Sequence, residues 1–232
     1  MRAVLLDVGG VLVLPSHEAV REALSRIGFE PEIALVDSAQ YHAMSAADEA
    51  TGEAIWPEGP TGSYWAGYAR ALGVAEGRVP AAVDAFQAVF SPNSSNWTRP
   101  IEDSVQALGE LRRAGARVAL ISNSQDTLEA MLRELGICQV GDGAGVDVDA
   151  IIVSAVVRLE KPDSRIFEMA LEAIGAQPSE AIHVGDSVRF DVEGATGAGV
   201  EAIHFDPFSI CSRHEHSHMA SLHDLIEIAS ET

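Results

Sequence analysis

The chain has 232 residues, with 15 Lys and Arg against 35 Asp and Glu, and a formal net charge of −20. A surface this acidic repels phosphate backbones and anionic lipid, which disfavours nucleic-acid and anionic-membrane binding as functions. With 47% hydrophobic and 22% charged residues, there is ample apolar material for a packed core, and the length suits one large domain or a core carrying an insertion.

In chain order, Ala3–Leu6 reads as a short buried strand ending at Asp7, followed by a turn at Gly9 and Gly10 and a second extended piece, Val11–Leu14, stopped by Pro15. Ser16 offers an N-cap for a helix to Ile27, with Val20, Ala23, Leu24 and Ile27 on one face. From there to Ser95 the pattern is helical and irregular by turns, with no clean strand, and the polar run Ser91–Asn96 reads as a linker. After Pro100 strands and helices alternate. Ile101–Ala114 is a helix, Arg117–Ile121 a strand, Thr127–Leu135 a helix and Ala150–Ser154 a strand. A helix capped by Asp163 or Ser164 runs to Ile174, Ala181–Val184 is a strand, Asp191–Ala198 a helix and Val200–Phe205 the last clear strand, before a final helix over Met219–Ile228. Continuous apolar strands alternating with helices predict an α/β fold, a parallel sheet covered on both faces.

Cys138 and Cys211 are too few for a disulfide framework and read as free thiols. The apolar start Ala3–Leu14 carries Asp7 in its middle and no small-residue cleavage pattern, so it reads as a strand and not a leader. No run of about 18 apolar residues occurs, and the expected setting is the cytoplasm.

In parallel sheets ligands gather beyond the carboxyl ends of strands. Those ends carry Asp7, then Ser122 with Asn123, then Gly185 with Asp186, while Lys161 follows the strand ending at Ser154. These segments, Leu5–Leu12 (LLDVGGVL), Val118–Ser124 (VALISNS), Glu160–Phe167 (EKPDSRIF) and His183–Val200 (HVGDSVRFDVEGATGAGV), resemble the signature motifs of the haloacid dehalogenase-like (HAD) hydrolase superfamily in order and approximate spacing. The resemblance implies a Rossmann-like core formed by residues 1–14 and 98–232, with an inserted helical cap at 15–97.

It also implies a phosphatase acting on a small phosphorylated metabolite. A carboxylate attacking phosphorus splits one displacement into two easier ones, and by resemblance that nucleophile is Asp7. Ser122 and Lys161 supply a hydroxyl and a positive charge for the transferring phosphoryl group, with Gly10 and Asn123 beside them. Oxygen donors with retained waters suit Mg²⁺. The implied ligands are Asp7, Asp186 and the Gly9 carbonyl, with Asp191 either ligating or supporting, and Ser187 and Asn123 able to lend supporting hydrogen bonds.

One position departs from the family. Most HAD phosphatases carry a second Asp two residues after the nucleophile, as general acid and base, and here it is Gly9. Either the leaving group needs no acid, or another residue (His17, Glu18 or His42) substitutes, or turnover is weak and the protein is a binding module. The dehalogenase branch also lacks that Asp, but it has no use for two acids in the last motif, so Asp186 and Asp191 favour Mg²⁺ and phosphate.

Two features lie outside the motifs. Cys211, His214, His216, His218 and His223 crowd one segment, which reads as a polar surface loop, with transition-metal chelation as the alternative. Tyr41, Trp56, Tyr64, Trp65 and Tyr68 read as packing within the cap more than as a substrate pocket. Leu14–Ser16 and Asn96–Pro100 are its expected hinges. The sequence carries no signal for substrate identity or oligomeric state.

Overall fold

A computed structural model describes residues 2–50, 63–90 and 96–230. The chain divides into two compact units, Met1–Val13 with Pro100–Thr232, and Leu14–Arg99. Trp56 and most of the Ser91–Asn96 run lie outside the described residues.

The chain opens with strand β1 (Ala3–Leu6), and β2 (Val13–Pro15) leads into the second unit. There α1 (His17–Ser25) starts at Ser16, whose Oγ accepts from Ala19 N–H, and buries Ala19, Val20, Ala23 and Leu24. Helices α2 (Val36–Glu49), α3 (Ser63–Ala71) and α4 (Val79–Val89) complete it, and β3 (Trp97–Pro100), paired with β2, leads out. Its core is aromatic. Trp65 stacks on Phe86 with ring centroids 4.8 Å apart and 12° between planes, and Tyr68 meets Phe86 edge-on at 5.5 Å. Tyr64 donates to Gln40, and Tyr68 to the Val36 carbonyl, which gives each buried phenol a polar partner.

The first unit resumes with α5 (Glu102–Arg113), β4 (Val118–Ser122) and α6 (Leu128–Glu134). A small two-stranded sheet follows, β5 (Cys138–Val140) with β6 (Val146–Val148), and then β7 (Ala150–Val153), α7 (Ser154–Val157) and α8 (Ser164–Ile174). The last elements are β8 (Ala181–Gly185), α9 (Gly194–Gly197), β9 (Glu201–Phe205), β10 (Ser217–Met219) and α10 (Asp224–Ser230). The main sheet has six parallel strands in the order β10-β9-β8-β1-β4-β7. Every residue of β1, β4 and β8 is buried, which is why these strands are continuous apolar runs and not alternating ones. Helix α8 is capped by the Asp163 carboxylate and ended by Gly175 at φ 63°, and its Ile166, Phe167, Ala170 and Leu171 pack with Leu5, Ala119 and Ile121. Fully burying such side chains contributes about 1.5–3 kcal/mol each.

Strand β2 is shifted from the expected Val11–Leu14 and includes Pro15; β3, β5 and β6 are strands the sequence did not signal, and two further elements differ in kind. The segment after β8 begins not at Asp191 but at Ser187, as a wide π-helical turn over Val188–Glu193, in which Val192 N–H reaches back to the Ser187 carbonyl. The cause is Asp191, whose carboxylate turns inward and accepts from Ser187 N–H. The expected helix from Met219 is instead a short edge strand followed by α10. A second aligned strand satisfies backbone groups along β9, which a first helical turn would leave unpaired.

Candidate active site

Register brings the motif residues together. Leu6 lies level with Leu120 on β4 and with Val184 on β8. Asp7, one residue on, accordingly leaves the sheet at the same edge as Ser122 and Gly185, and its own N–H donates to the Val184 carbonyl at 2.9 Å.

Lys161 sits at the centre, only 3% exposed. Its ammonium contacts Asp7 Oδ1 at 2.7 Å and Asp191 Oδ1 at 2.6 Å. The backbone that carries it is clamped by Asn123, whose Nδ2 donates to the Lys161 carbonyl at 2.9 Å while its Oδ1 accepts from Lys161 N–H at 2.8 Å. Both ends of the Asn123 amide are therefore engaged in placing the lysine. Pro162 follows through a cis peptide bond.

Asp191 is held from three sides. Oδ1 takes Lys161 and His183 Nε2, the latter at 2.9 Å, and Oδ2 takes Ser187 N–H at 3.2 Å. Burial by itself would raise its pKa, but Lys161 and the His183 hydrogen bond overcome this and hold the carboxyl well below the usual range. Asp7 moves the other way. Burial, with Asp191 adding to it, raises its pKa against the pull of Lys161. Burial opposes the Lys161 charge, yet Asp191 and Asp7 together keep the ammonium strongly protonated.

Glycine makes the acids fit. Gly10 lies at φ +69°, and a Cβ there would fall 1.8 Å from Asp186 Oδ2. A Cβ on Gly185 would fall 2.1 Å from Asp191 Cγ. Carboxylate oxygens of Asp7, Asp186 and Asp191 lie within 4.8 Å of one another. Lys161 pairs with two of these buried carboxylates, Asp7 and Asp191, and the all-oxygen donor set suits a hard divalent cation. Since both Asp191 oxygens are already engaged, it fits the supporting role.

Two histidines were absent from the site residues singled out in the sequence. His183, fully buried on β8, orients Asp191, and its ring meets Phe167 edge-on at 5.0 Å. His204 on β9 places Nε2 3.1 Å from the Asp186 carbonyl. The signal in the sequence is a lone imidazole inside each of two buried strand segments, Ala181–Gly185 and Ile203–Phe205. In the second unit His17 is bound to Asp37 at 3.1 Å, and Asp37 also pairs with Arg99.

Comparison with known proteins agrees with this architecture. Residues 1–199 match the haloacid dehalogenase-like hydrolase family. A phosphoserine phosphatase from Thermus thermophilus is 33% identical over 89% of each chain. A glyceraldehyde 3-phosphate phosphatase from Methanothermobacter thermautotrophicus is 36% identical over 45% of this chain and 44% of its own. Among solved structures, a magnesium-bound HAD hydrolase from Bacillus subtilis superposes with a TM-score of 0.61 at 16% identity, covering 99% of this chain and 98% of the other. Structures of the same fold include dehalogenases as well. The motif residues meeting at one sheet edge and the family match over most of the chain lead to one assignment: the protein belongs to the haloacid dehalogenase-like hydrolases, as a phosphatase-type member.

Proposed function

We propose that the protein hydrolyses a small phosphate monoester in a Mg²⁺-dependent reaction through an aspartyl-phosphate on Asp7. The observation that carries this reading is the buried Asp7–Lys161–Asp191 array beside Asp186. A strand-end carboxylate is aimed by one ammonium, with a second acid close enough to share a cation. Phosphatase relatives acting on phosphoserine and glyceraldehyde 3-phosphate support the substrate class, and the magnesium in the Bacillus relative supports the ion.

Asp7, Asp186 and the Gly9 carbonyl would hold Mg²⁺, which when bound neutralises charge on the phosphoryl oxygens. Asp7 Oδ attacks phosphorus while the ester P–O bond breaks and the leaving group departs as its alkoxide, which takes a proton from solvent to give the alcohol. Water then attacks the acyl phosphate, restoring the Asp7 carboxylate and releasing inorganic phosphate and a proton. Lys161 and the Ser122 hydroxyl stabilise the equatorial oxygens in both steps, and Asn123, Asp191 and His183 keep Lys161 in place. The raised pKa of Asp7 belongs to the protein before a cation joins the site; a divalent ion beside it favours the ionised nucleophile.

Gly9 supplies no carboxylate for the leaving group, a contribution commonly worth about 10²–10⁴ in rate. Either the leaving group has a low pKa, as in a sugar 1-phosphate, or another residue, with His17, Glu18 and His42 the candidates, takes over the proton transfer that alkyl esters such as phosphoserine need. The unit Leu14–Arg99, inserted between the first and second motifs, is assigned the role of choosing among such substrates.

The test is phosphate release from a panel of small phosphorylated metabolites, with and without Mg²⁺. Release that requires Mg²⁺ and falls at least about 10³-fold in Asp7→Asn is expected. No release above the Asp7→Asn level on any substrate would leave a binding module, and metal-independent chloride release from 2-haloacids would assign the dehalogenase branch.

A further inference from the structure

A second cluster of chemistry-bearing side chains lies on the edge of the sheet, and the phosphatase reading makes no use of it. His204 is on β9, Cys211 is in the loop that follows, His216 immediately precedes β10 and His218 lies within it. The parallel pairing of β10 with β9 sets His218 directly opposite His204. The three imidazoles face one another, with ring centroids 5.2 Å apart for His204 with His216, 5.2 Å for His204 with His218, and 4.5 Å for the stacked pair His216 and His218. Each of these histidines and Cys211 offers one ligand atom, and the four atoms lie within 4.8 Å of one another.

The distances and the proton assignments both describe a ligand set. His216 Nε2 stands 3.2 Å from His204 Nδ1 and 3.9 Å from Cys211 Sγ. A tetrahedral zinc, with Zn–N of about 2.0–2.1 Å and Zn–S of about 2.3 Å, spaces its N···N pairs about 3.3–3.4 Å and its N···S pairs about 3.6 Å apart. His204 Nε2 donates to the Asp186 carbonyl at 3.1 Å, and His218 Nε2 to the Arg213 carbonyl at 2.9 Å. A carbonyl can only accept, so those nitrogens carry protons, which leaves Nδ1 of each ring as its ligand atom; His218 Nδ1 also stands 3.8 Å from Asp206 Oδ2. Ligating histidines are commonly fixed by such an outer hydrogen bond. Asp206, 5% exposed, accepts from Ile210 N–H at 2.8 Å and Cys211 N–H at 2.9 Å and so shapes the loop that presents the thiol.

We propose that His204, Cys211, His216 and His218 form a structural zinc site. Three imidazoles and a thiolate are borderline-soft donors that select a transition ion over Mg²⁺ or Ca²⁺, and four protein ligands close the site to substrate. The ion joins the Cys211 loop and β10 to β9. Through the His204–Asp186 hydrogen bond it also fixes the backbone of a candidate active-site residue, which makes His204 a positioning residue.

The experiment uses untagged full-length protein, incubated with stoichiometric zinc and passed through chelator-treated buffer. Elemental analysis is expected to give about one zinc per chain, and cobalt substitution a thiolate-to-metal charge-transfer band in the near ultraviolet. Cys211→Ser should abolish the band, and Cys211→Ser/His216→Ala should weaken zinc binding at least about 100-fold. Asp186→Asn should preserve both signals, which separates this site from the acidic cluster. Zinc at a hundredfold excess over its Kd should raise the thermal midpoint of the wild type by about 5–10 °C. No retained zinc in the wild type, or equal zinc affinity in the double variant, would overturn the proposal. Should a variant fold poorly, wild-type metal content and the cobalt spectrum still decide the matter.

Discussion

At the scale of single residues, the candidate site depends on two kinds of side-chain economy. One is absence. Gly10 has no Cβ because Asp186 Oδ2 occupies that space, and its φ of +69° is strained for other residues. Gly10→Ala is expected to leave a folded protein in which Asp186 is displaced; phosphatase activity at fixed Mg²⁺ should fall at least about 10-fold and the Mg²⁺ requirement should rise, measured by titrating the ion. The other is local capping. Asp163 accepts from Arg165 N–H at 3.0 Å at the start of α8 and is also bound by the Arg165 guanidinium. Its hydrogen bonds to Arg165 hold its pKa down to about 2. A carboxyl lowered on folding stabilises above its unfolded value of about 3.9 and loses that contribution as pH falls through the folded value. Asp163→Ala should therefore lower the thermal midpoint by a few degrees at pH 6, and the gap should close between about pH 4 and pH 2.

Among the elements, the strands and the helical unit are built by different rules. The strands β1, β4 and β8 are buried on both faces, so their apolar runs fix where strands lie, while their register decides which side chains meet. The helical unit has a compact aromatic centre, with Tyr64, Trp65, Tyr68 and Phe86 all buried. Their helical spacing in the sequence already favoured packing over a substrate pocket, and the rings do pack on one another. Phe86 is fully buried and stacked on Trp65, so Phe86→Ala should destabilise that unit by about 3–5 kcal/mol. Hydrogen exchange should show faster opening of α3 and α4, with the amides of β1, β4 and β8 still protected. Uniform loss of protection across both units would mean that the two unfold as one.

For the whole molecule, the charge of −20 acts on a substrate that is itself an anion under the proposed function. Among the described residues, three of the buried carboxylates, Asp7, Asp186 and Asp191, belong to the candidate site, with the Lys161 ammonium among them. Long-range steering works against approach, so capture depends on short-range contacts. Adding salt should raise kcat/KM for a phosphate substrate or leave it unchanged, measured at constant Mg²⁺ from low ionic strength to about 0.5 M. A steep fall would reveal a local positive funnel. No described helix is long and apolar enough to cross a membrane.

The sequence by itself determined the α/β class, where the core strands fall along the chain and the residue types at their ends, because apolar runs, caps and glycine turns are local signals. Asp7, Ser122 and Asp186 could be singled out because each stands where a strand stops, and Lys161 because it precedes a helix after the next strand, in a motif that resembles the family's. Tertiary structure alone decided what those residues touch. Parallel register placed Lys161 between Asp7 and Asp191, gave Asn123 to the Lys161 backbone and made His183 the partner of Asp191. It also ended the histidine-rich loop in a short edge strand, Ser217–Met219, that sets His218 opposite His204. That pairing joins positions 14 residues apart through a hydrogen-bonding register, and no local pattern in the chain encodes such a register.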